Sequence, residues 1–125
     1  MESKEFIQAV TERTGLSRQE AADLTRATLG TLAARVSDGE LRQLAMQLPD
    51  GLREYAKPQK KGTERFGLTE FVRKVSEHTG LTESETTTGV RAVLTTLREA
   101  VSADEYRDVM SQLPGAFTEL VDAGT

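Results

Sequence analysis

Two stretches of the chain decide the fold, because the second nearly repeats the first. Residues 36–49 run VSDGELRQLAMQLP, and residues 101–114 run VSADEYRDVMSQLP. The match extends outward, so that residues 5–56 recur without a gap as residues 70–121. Such a repeat constrains the architecture before any other pattern is interpreted. It predicts one helical unit used twice, with repeat one at 3–56, a linker at 57–68 and repeat two at 69–121.

Helix starts occur at matching places in the two repeats. Four Ser/Thr-x-x-Glu motifs have the composition of capping boxes, in which the hydroxyl and the Glu each bond a free backbone amide. They are Ser17 with Glu20, Thr82 with Glu85, Ser37 with Glu40, and Ser102 with Glu105. These motifs predict that helices begin at the residues that follow each Ser or Thr.

Helix ends and apolar spacing complete the assignment. We predict a first helix at about 4–13 and 70–78, a second at 18–35 and 83–100, and a third at 38–47 and 103–112. Pro49 and Pro114 interrupt the third helix, and short fourth helices are predicted at 50–56 and 115–121. The expected fold is all-α, a helical bundle of two tandem, pseudo-twofold-related four-helix repeats. Each repeat alone would be marginally stable, so we expect the two to share one core within a single domain.

Composition and charge exclude several classes of protein. The chain has no Cys, and so no disulfide or thiolate metal site. No apolar run approaches the ~20 residues of a membrane span, and the start of the chain lacks the pattern of a secretory signal. We therefore expect a cytoplasmic protein. The net charge of −4 disfavours general polyanion binding, which depends on neutralising phosphates.

Residues with catalytic or metal-binding potential are few. His78 is the only histidine and stands near a predicted helix C-terminus, where a cation suits the helix dipole. No partner that would make it a catalytic base is evident. No Glu-x-x-His pair suggests a metal site, and no phosphate-binding or nucleophile motif occurs. We predict no catalytic residue, no metal and no cofactor, and hence a protein that is not an enzyme.

Some polar residues are repeated without a capping role. Either they make the same structural contact twice, or they line a binding surface twice. Arginine suits partly buried ion pairs, and Glu12 and Glu77 are the predicted partners. The repeated residues are Arg26 with Arg91, Arg42 with Arg107, and Gln47 with Gln112.

The linker carries the only positive run of the chain. It holds four basic side chains and one acidic side chain. Phe66 is an apolar residue in this polar segment, and would either pin the linker to the bundle or meet a partner. The candidate interaction residues are Lys57, Lys60, Lys61, Arg65 and Phe66.

The order of motifs resembles a bacterial family known as domain of unknown function 2267. The motifs are Phe-x-x-x-Val, then Thr-Gly-Leu-Ser/Thr, a long helix, and Gln-Leu-Pro, which stands at residues 47–49 and 112–114. The resemblance covers nearly the whole chain. It implies a helical fold and a bacterial cytoplasmic origin, and it implies no activity.

A partial resemblance links residues 5–36 and 70–101 to the two N-terminal helices of HU-type histone-like proteins. In that family these helices form the dimer body, and β-ribbon arms grip DNA. Here the chain continues after Val36 with Ser-Asp-Gly-Glu and another helix. The resemblance implies a helix-pairing scaffold without the arms.

Three functions follow as hypotheses. The first is a non-enzymatic protein-interaction or adaptor module, stress-associated or regulatory, acting as monomer or homodimer. The second is a nucleoid-associated DNA-binding protein, based on the HU-like helices and the basic linker. The third is a small-molecule or lipid carrier, which would need an apolar cavity between the repeats.

Overall fold

The computed structural model describes residues 1–58 and 64–124. Within these ranges the chain forms seven α-helices and one 3₁₀ turn, and no strand. The prediction of an all-α bundle is confirmed. The helices are α1 (Ser3–Thr14), α2 (Arg18–Arg35), α3 (Asp38–Gln47), α4 (Leu68–Thr79), α5 (Glu83–Ala100), α6 (Ala103–Ser111) and α7 (Gly115–Ala123), with the 3₁₀ turn at Arg53–Ala56.

The long helices α2 and α5 start at complete capping boxes. Ser17 accepts a hydrogen bond from the amide of Glu20 at 3.1 Å, and the Glu20 carboxylate accepts one from the amide of Ser17 at 3.0 Å. Thr82 and Glu85 repeat this exchange in α5. Both helices therefore begin at the predicted residue, with two otherwise free backbone amides bonded at each start.

The packing of the helices interleaves the two halves of the sequence. α1 packs against α2 and also against α5, while α4 packs against α5 and also against α2. The apolar faces of α1 and α4 are buried as predicted: Phe6, Ile7, Val10, Phe71, Val72 and Val75. Buried apolar side chains from both halves belong to the same cluster.

A glycine marks the closest approach of α2 and α5. A Cβ atom at Gly89 would lie 2.5 Å and 2.8 Å from the two terminal methyl groups of Leu24, which is fully buried. Contacts this short cannot be accommodated unless Leu24 moves, and a packed interior resists such movement. Gly89 therefore lets the two long helices meet across the middle of the bundle.

The halves differ after the Gln-Leu-Pro motif. A fourth helix was predicted at 50–56, but the structure forms only the 3₁₀ turn Arg53–Ala56. Gly51 adopts a φ of 91°, a left-handed conformation that interrupts an α-helix. Ala116 occupies the matching position of the second half, inside α7. The 3₁₀ turn packs against α2 and α3, whereas α7 packs against α5.

Candidate functional site

The N-termini of α3 and α6 are joined by reciprocal hydrogen bonds between the two repeats. The amide of Ser37 donates to Oε1 of Gln112 at 2.7 Å, and the amide of Ser102 donates to Oε1 of Gln47 at 2.6 Å. Each glutamine thus caps the helix of the other repeat. This explains why Gln47 and Gln112 occur twice, and it supports the structural alternative for this pair.

The same bonds change the role of two glutamates. Ser37 still accepts from the amide of Glu40 at 3.4 Å, and Ser102 from that of Glu105 at 3.1 Å. The cap amides, however, are already bonded to glutamine. The prediction of complete capping boxes is therefore wrong for α3 and α6, because a partner from the other repeat replaces the local carboxylate.

Because their carboxylates do not bond the cap amides, the two glutamates are available to form an acidic cluster with Asp108 where α3 meets α6. One carboxylate oxygen from each of Glu40, Glu105 and Asp108 lies within 4.8 Å of the others. Glu105 is only 4% exposed, and Glu40 is partly buried. The Oε2 atoms of Glu40 and Glu105 are buried without a hydrogen-bond partner among the described residues. We call these three residues the seam cluster.

Burial and like charge both act on Glu105. The pKa of its carboxyl group is raised to about 8, mainly by burial, with smaller contributions from the hydrogen bond that the protonated group shares with Glu40 and from the charges of Glu40 and Asp108. At neutral pH the fold therefore favours a proton on Glu105. The excess negative charge of the seam cluster can be neutralised either by a proton on Glu105 or by a bound cation.

A second site lies on the other side of α3. A groove of about 780 Å³ runs between α3 and the chain that follows Pro49. Met46 borders it and is 77% exposed; among the described residues the only other exposed large apolar side chain is Met1. The lining residues are Leu41, Arg42, Ala45, Met46, Gly51, Arg53, Glu54, Ala56, Lys57 and Pro58. We call this the Met46 groove.

The position of Met46 follows from helix geometry. Leu41 and Leu44 of the same helix are fully buried. Five residues along an α-helix correspond to a rotation of about 140° from Leu41, so Met46 points away from the buried face. Ser111, at the matching position of α6, is likewise exposed.

Arg26 and Arg91 contact equivalent residues near the end of their own repeats. Arg26 uses a cation–π contact, and Arg91 uses a hydrogen bond. Arg26 lies over the ring of Tyr55, 5.8 Å from its centre, and 3.6 Å from the carboxylate of Asp23. Arg91 donates to the backbone carbonyl of Leu120, which matches Tyr55, at 3.0 Å. Both arginines thus hold the end of their repeat against the second helix.

The carboxylates predicted to pair with these arginines have other partners. Glu12 accepts from Gln8 at 3.1 Å, and Glu77 accepts from Arg73 at 2.6 Å. Both pairs join residues four apart on one helix, which is the usual spacing for local side-chain pairs. The predicted pairing with Glu12 and Glu77 is therefore replaced by local bonds.

Arg42 and Arg107 are both exposed. Arg107 lies 3.2 Å from the carboxylate of Asp104. Arg42 lines the Met46 groove and forms no ion pair with the described residues. The repeated arginine thus has a local partner in one repeat and borders a groove in the other.

Phe66 is partly buried against the core. Its ring lies 6.3 Å from that of Phe71, and the ammonium of Lys74 lies 5.1 Å from its centre. Its carbonyl accepts from Nε of Arg35 at 2.9 Å. These contacts support the alternative in which Phe66 pins the linker to the bundle.

Only some of the basic linker residues lie within the ranges that the structure describes. Lys57 and Arg65 are exposed, and Lys57 lines the Met46 groove. Lys60 and Lys61 lie outside the described residues. The structure therefore brings one of the four predicted linker cations into a groove.

Comparison with known proteins gives the family. The model of the uncharacterized conserved protein family DUF2267 matches residues 3–120. The chain belongs to DUF2267. The match confirms the resemblance seen in the sequence. No curated protein matches this DUF2267 member.

His78 of this DUF2267 protein lies at a polar cleft between α2 and α4, beside Thr31 and Ala34. At the matching place on α1, Arg13 donates to Thr96 at 2.7 Å and pairs with Glu99 at 2.7 Å. His78 makes no hydrogen bond with the described residues.

No helix among the described residues of the DUF2267 chain has the length and apolar character needed to cross a membrane.

Proposed function

We propose that this DUF2267 protein is a non-enzymatic, cytoplasmic protein-interaction module that binds an acidic amphipathic helix in the Met46 groove. The observation that carries the proposal is the 77% exposure of Met46 beside an apolar groove. An exposed apolar patch with a polar rim is typical of an interaction surface. Methionine suits such surfaces because its flexible thioether adapts to different partners.

The rim of the groove determines the charge of the partner. Arg42 and Lys57 border it and form no ion pair with the described residues, whereas Arg53 lies 2.9 Å from the carboxylate of Asp50. Glu54 is the one acidic residue of the lining. Arg42 and Lys57 outnumber Glu54, so the rim has a net positive charge, which favours a partner with carboxylates at its edges.

The shape of the groove favours a helix over an enclosed small molecule. The apolar floor of Leu41, Ala45 and Ala56 is open on one side. Small-molecule sites bury most of the ligand surface, which an open groove does not do. An amphipathic helix can place two or three apolar side chains on such a floor and leave its other face in water.

The described residues that form the groove are replaced by different ones in the second repeat. Met46 is matched by Ser111, Gly51 by Ala116, and the 3₁₀ turn by the longer helix α7. Arg42 is matched by Arg107, which pairs with Asp104. The second repeat thus provides an internal control for every test of the groove.

A pair of helical peptides tests the proposal. The peptides share the same spacing of leucines and differ only in carrying Glu or Lys at the flanking positions. Fluorescence anisotropy should show tighter binding of the acidic peptide, by about tenfold if each free cation contributes about 0.7 kcal/mol. Met46→Glu should abolish this binding, and Ser111→Glu should leave it unchanged. Equal affinity for both peptides, or binding that survives Met46→Glu, would refute the proposal.

A further inference from the structure

The seam cluster contains more negative charge than its surroundings neutralise. Two of its oxygens, Oε2 of Glu40 and Oε2 of Glu105, are buried, and when both carboxyl groups are ionised no described N–H or O–H group donates to either. A buried, unpaired carboxylate oxygen is costly unless a proton or a cation meets it. The ionised cluster therefore requires a proton or a cation to neutralise its buried charge.

From this geometry we propose that Glu40, Glu105 and Asp108 bind one hard divalent cation of the Mg²⁺ or Mn²⁺ class between α3 and α6. The three carboxylate oxygens lie within 4.8 Å of one another, so one ion can reach all of them. Carboxylate oxygens are the ligands that such cations prefer. The site lies on the seam and does not share a lining residue with the Met46 groove.

The arrangement favours an ion that keeps part of its water. Glu40 and Glu105 provide the buried side, while Asp108 is exposed. Three protein ligands leave about three of six octahedral positions to water, a common arrangement for Mg²⁺. The exposed side at Asp108 provides the route by which the ion enters.

The bound ion would connect the repeats. Glu40 belongs to α3 of the first repeat, and Glu105 and Asp108 belong to α6 of the second. These helices are already joined through Gln47 and Gln112. Because the ion would bind the folded chain and not the unfolded one, binding should stabilise the fold.

Manganese is the probe for this site. Purified full-length protein, freed of metal with chelator, is titrated with Mn²⁺ at pH 8, and free Mn²⁺ is followed by electron paramagnetic resonance. We expect one bound equivalent and a rise in Tm of about 5 °C at saturation. Glu105→Gln or Asp108→Asn should weaken binding at least about tenfold. Asp104→Asn, on the same helix but outside the cluster, should retain it.

Two results would overturn the proposal. The first is no saturable Mn²⁺ binding to the wild-type chain below about 1 mM, a limit typical of weak protein sites for divalent ions. In that case the seam cluster would hold a proton in place of a metal. The second is binding that Glu105→Gln and Asp108→Asn leave unchanged, which would place the ion elsewhere. Competition by Mg²⁺ or Ca²⁺ then shows which ion size the wild-type site prefers.

Discussion

Replacing Glu105 with Gln should stabilise the protein in alkaline solution. The fold raises the pKa of this carboxyl group from 4.5 to about 8. Between these two pH values the folded chain binds more protons than the unfolded chain, so the free energy of unfolding falls as pH rises. The full penalty is present above pH 8. Glutamine has nearly the shape of protonated glutamic acid and cannot ionise, so the variant lacks the penalty.

The magnitude follows from the size of the shift. A rise from 4.5 to about 8 corresponds to at most about 5 kcal/mol of lost stability. Asp108 leaves one side of the cluster open to water, which screens the repulsion. We therefore expect Glu105→Gln to be about 2–3 kcal/mol more stable than the wild type at pH 9. At pH 5 the two proteins should be nearly equal.

Urea unfolding at pH 5, 7 and 9, in the presence of a chelator, measures this difference. Glu119→Gln is the matched control, because it removes the same charge from an exposed position of α7. The control should follow the wild type at every pH. If Glu105→Gln and the wild type differed by less than about 0.5 kcal/mol at pH 9, within the range of ordinary surface changes, burial and repulsion at the seam would not be significant.

Two further predictions concern the packing of the repeats. Gly89→Ala should destabilise the protein by about 1–3 kcal/mol in thermal or urea unfolding, because its methyl group would overlap Leu24. Gly30→Ala, where the added atom meets nothing within 4 Å, should instead be neutral or stabilising; equal effects would contradict the close approach. Gln47→Ala and Gln112→Ala should each cost about 1 kcal/mol, since each leaves a helix-cap amide without its partner. A loss below about 0.3 kcal/mol for both, far less than a typical cap is worth, would argue against these bonds.

Local rules predicted most of the helices. The capping motifs at Ser17 and Thr82 fixed the starts of α2 and α5, because the bonds they make are local. The prediction of a fourth helix at 50–56 was wrong, because Gly51 adopts a left-handed conformation. Ala116, at the matching position of the second repeat, lies within α7. Comparing Gly51 with Ala116 could have indicated this difference in advance.

The seam cluster could not be predicted by local rules. The motif Ser37-x-x-Glu40 is a capping box by sequence, and only the contact with Gln112 from the other repeat shows that the carboxylate is displaced. The sequence did offer one signal, because Gln47 and Gln112 were doubled without an explanation. A polar residue that recurs in both repeats and has no local bonding partner is a candidate for a contact between the repeats.

The Met46 groove required the three-dimensional structure for a different reason. Its lining combines α3 with the chain after Pro49, which includes the 3₁₀ turn. The sequence named Lys57 and Arg42 as candidates, but it could not show that they border the same groove.

Site-specific photo-crosslinking tests the proposed interaction most directly. A benzophenone amino acid replaces Met46 in one variant and the matching Ser111 in another, and both are expressed in native host cells and irradiated. The account predicts a discrete adduct from position 46, its loss when Arg42→Glu and Lys57→Glu are added, and no equivalent adduct from position 111. Equal adducts from both positions, or none from position 46, would contradict the assignment of the Met46 groove as the binding surface.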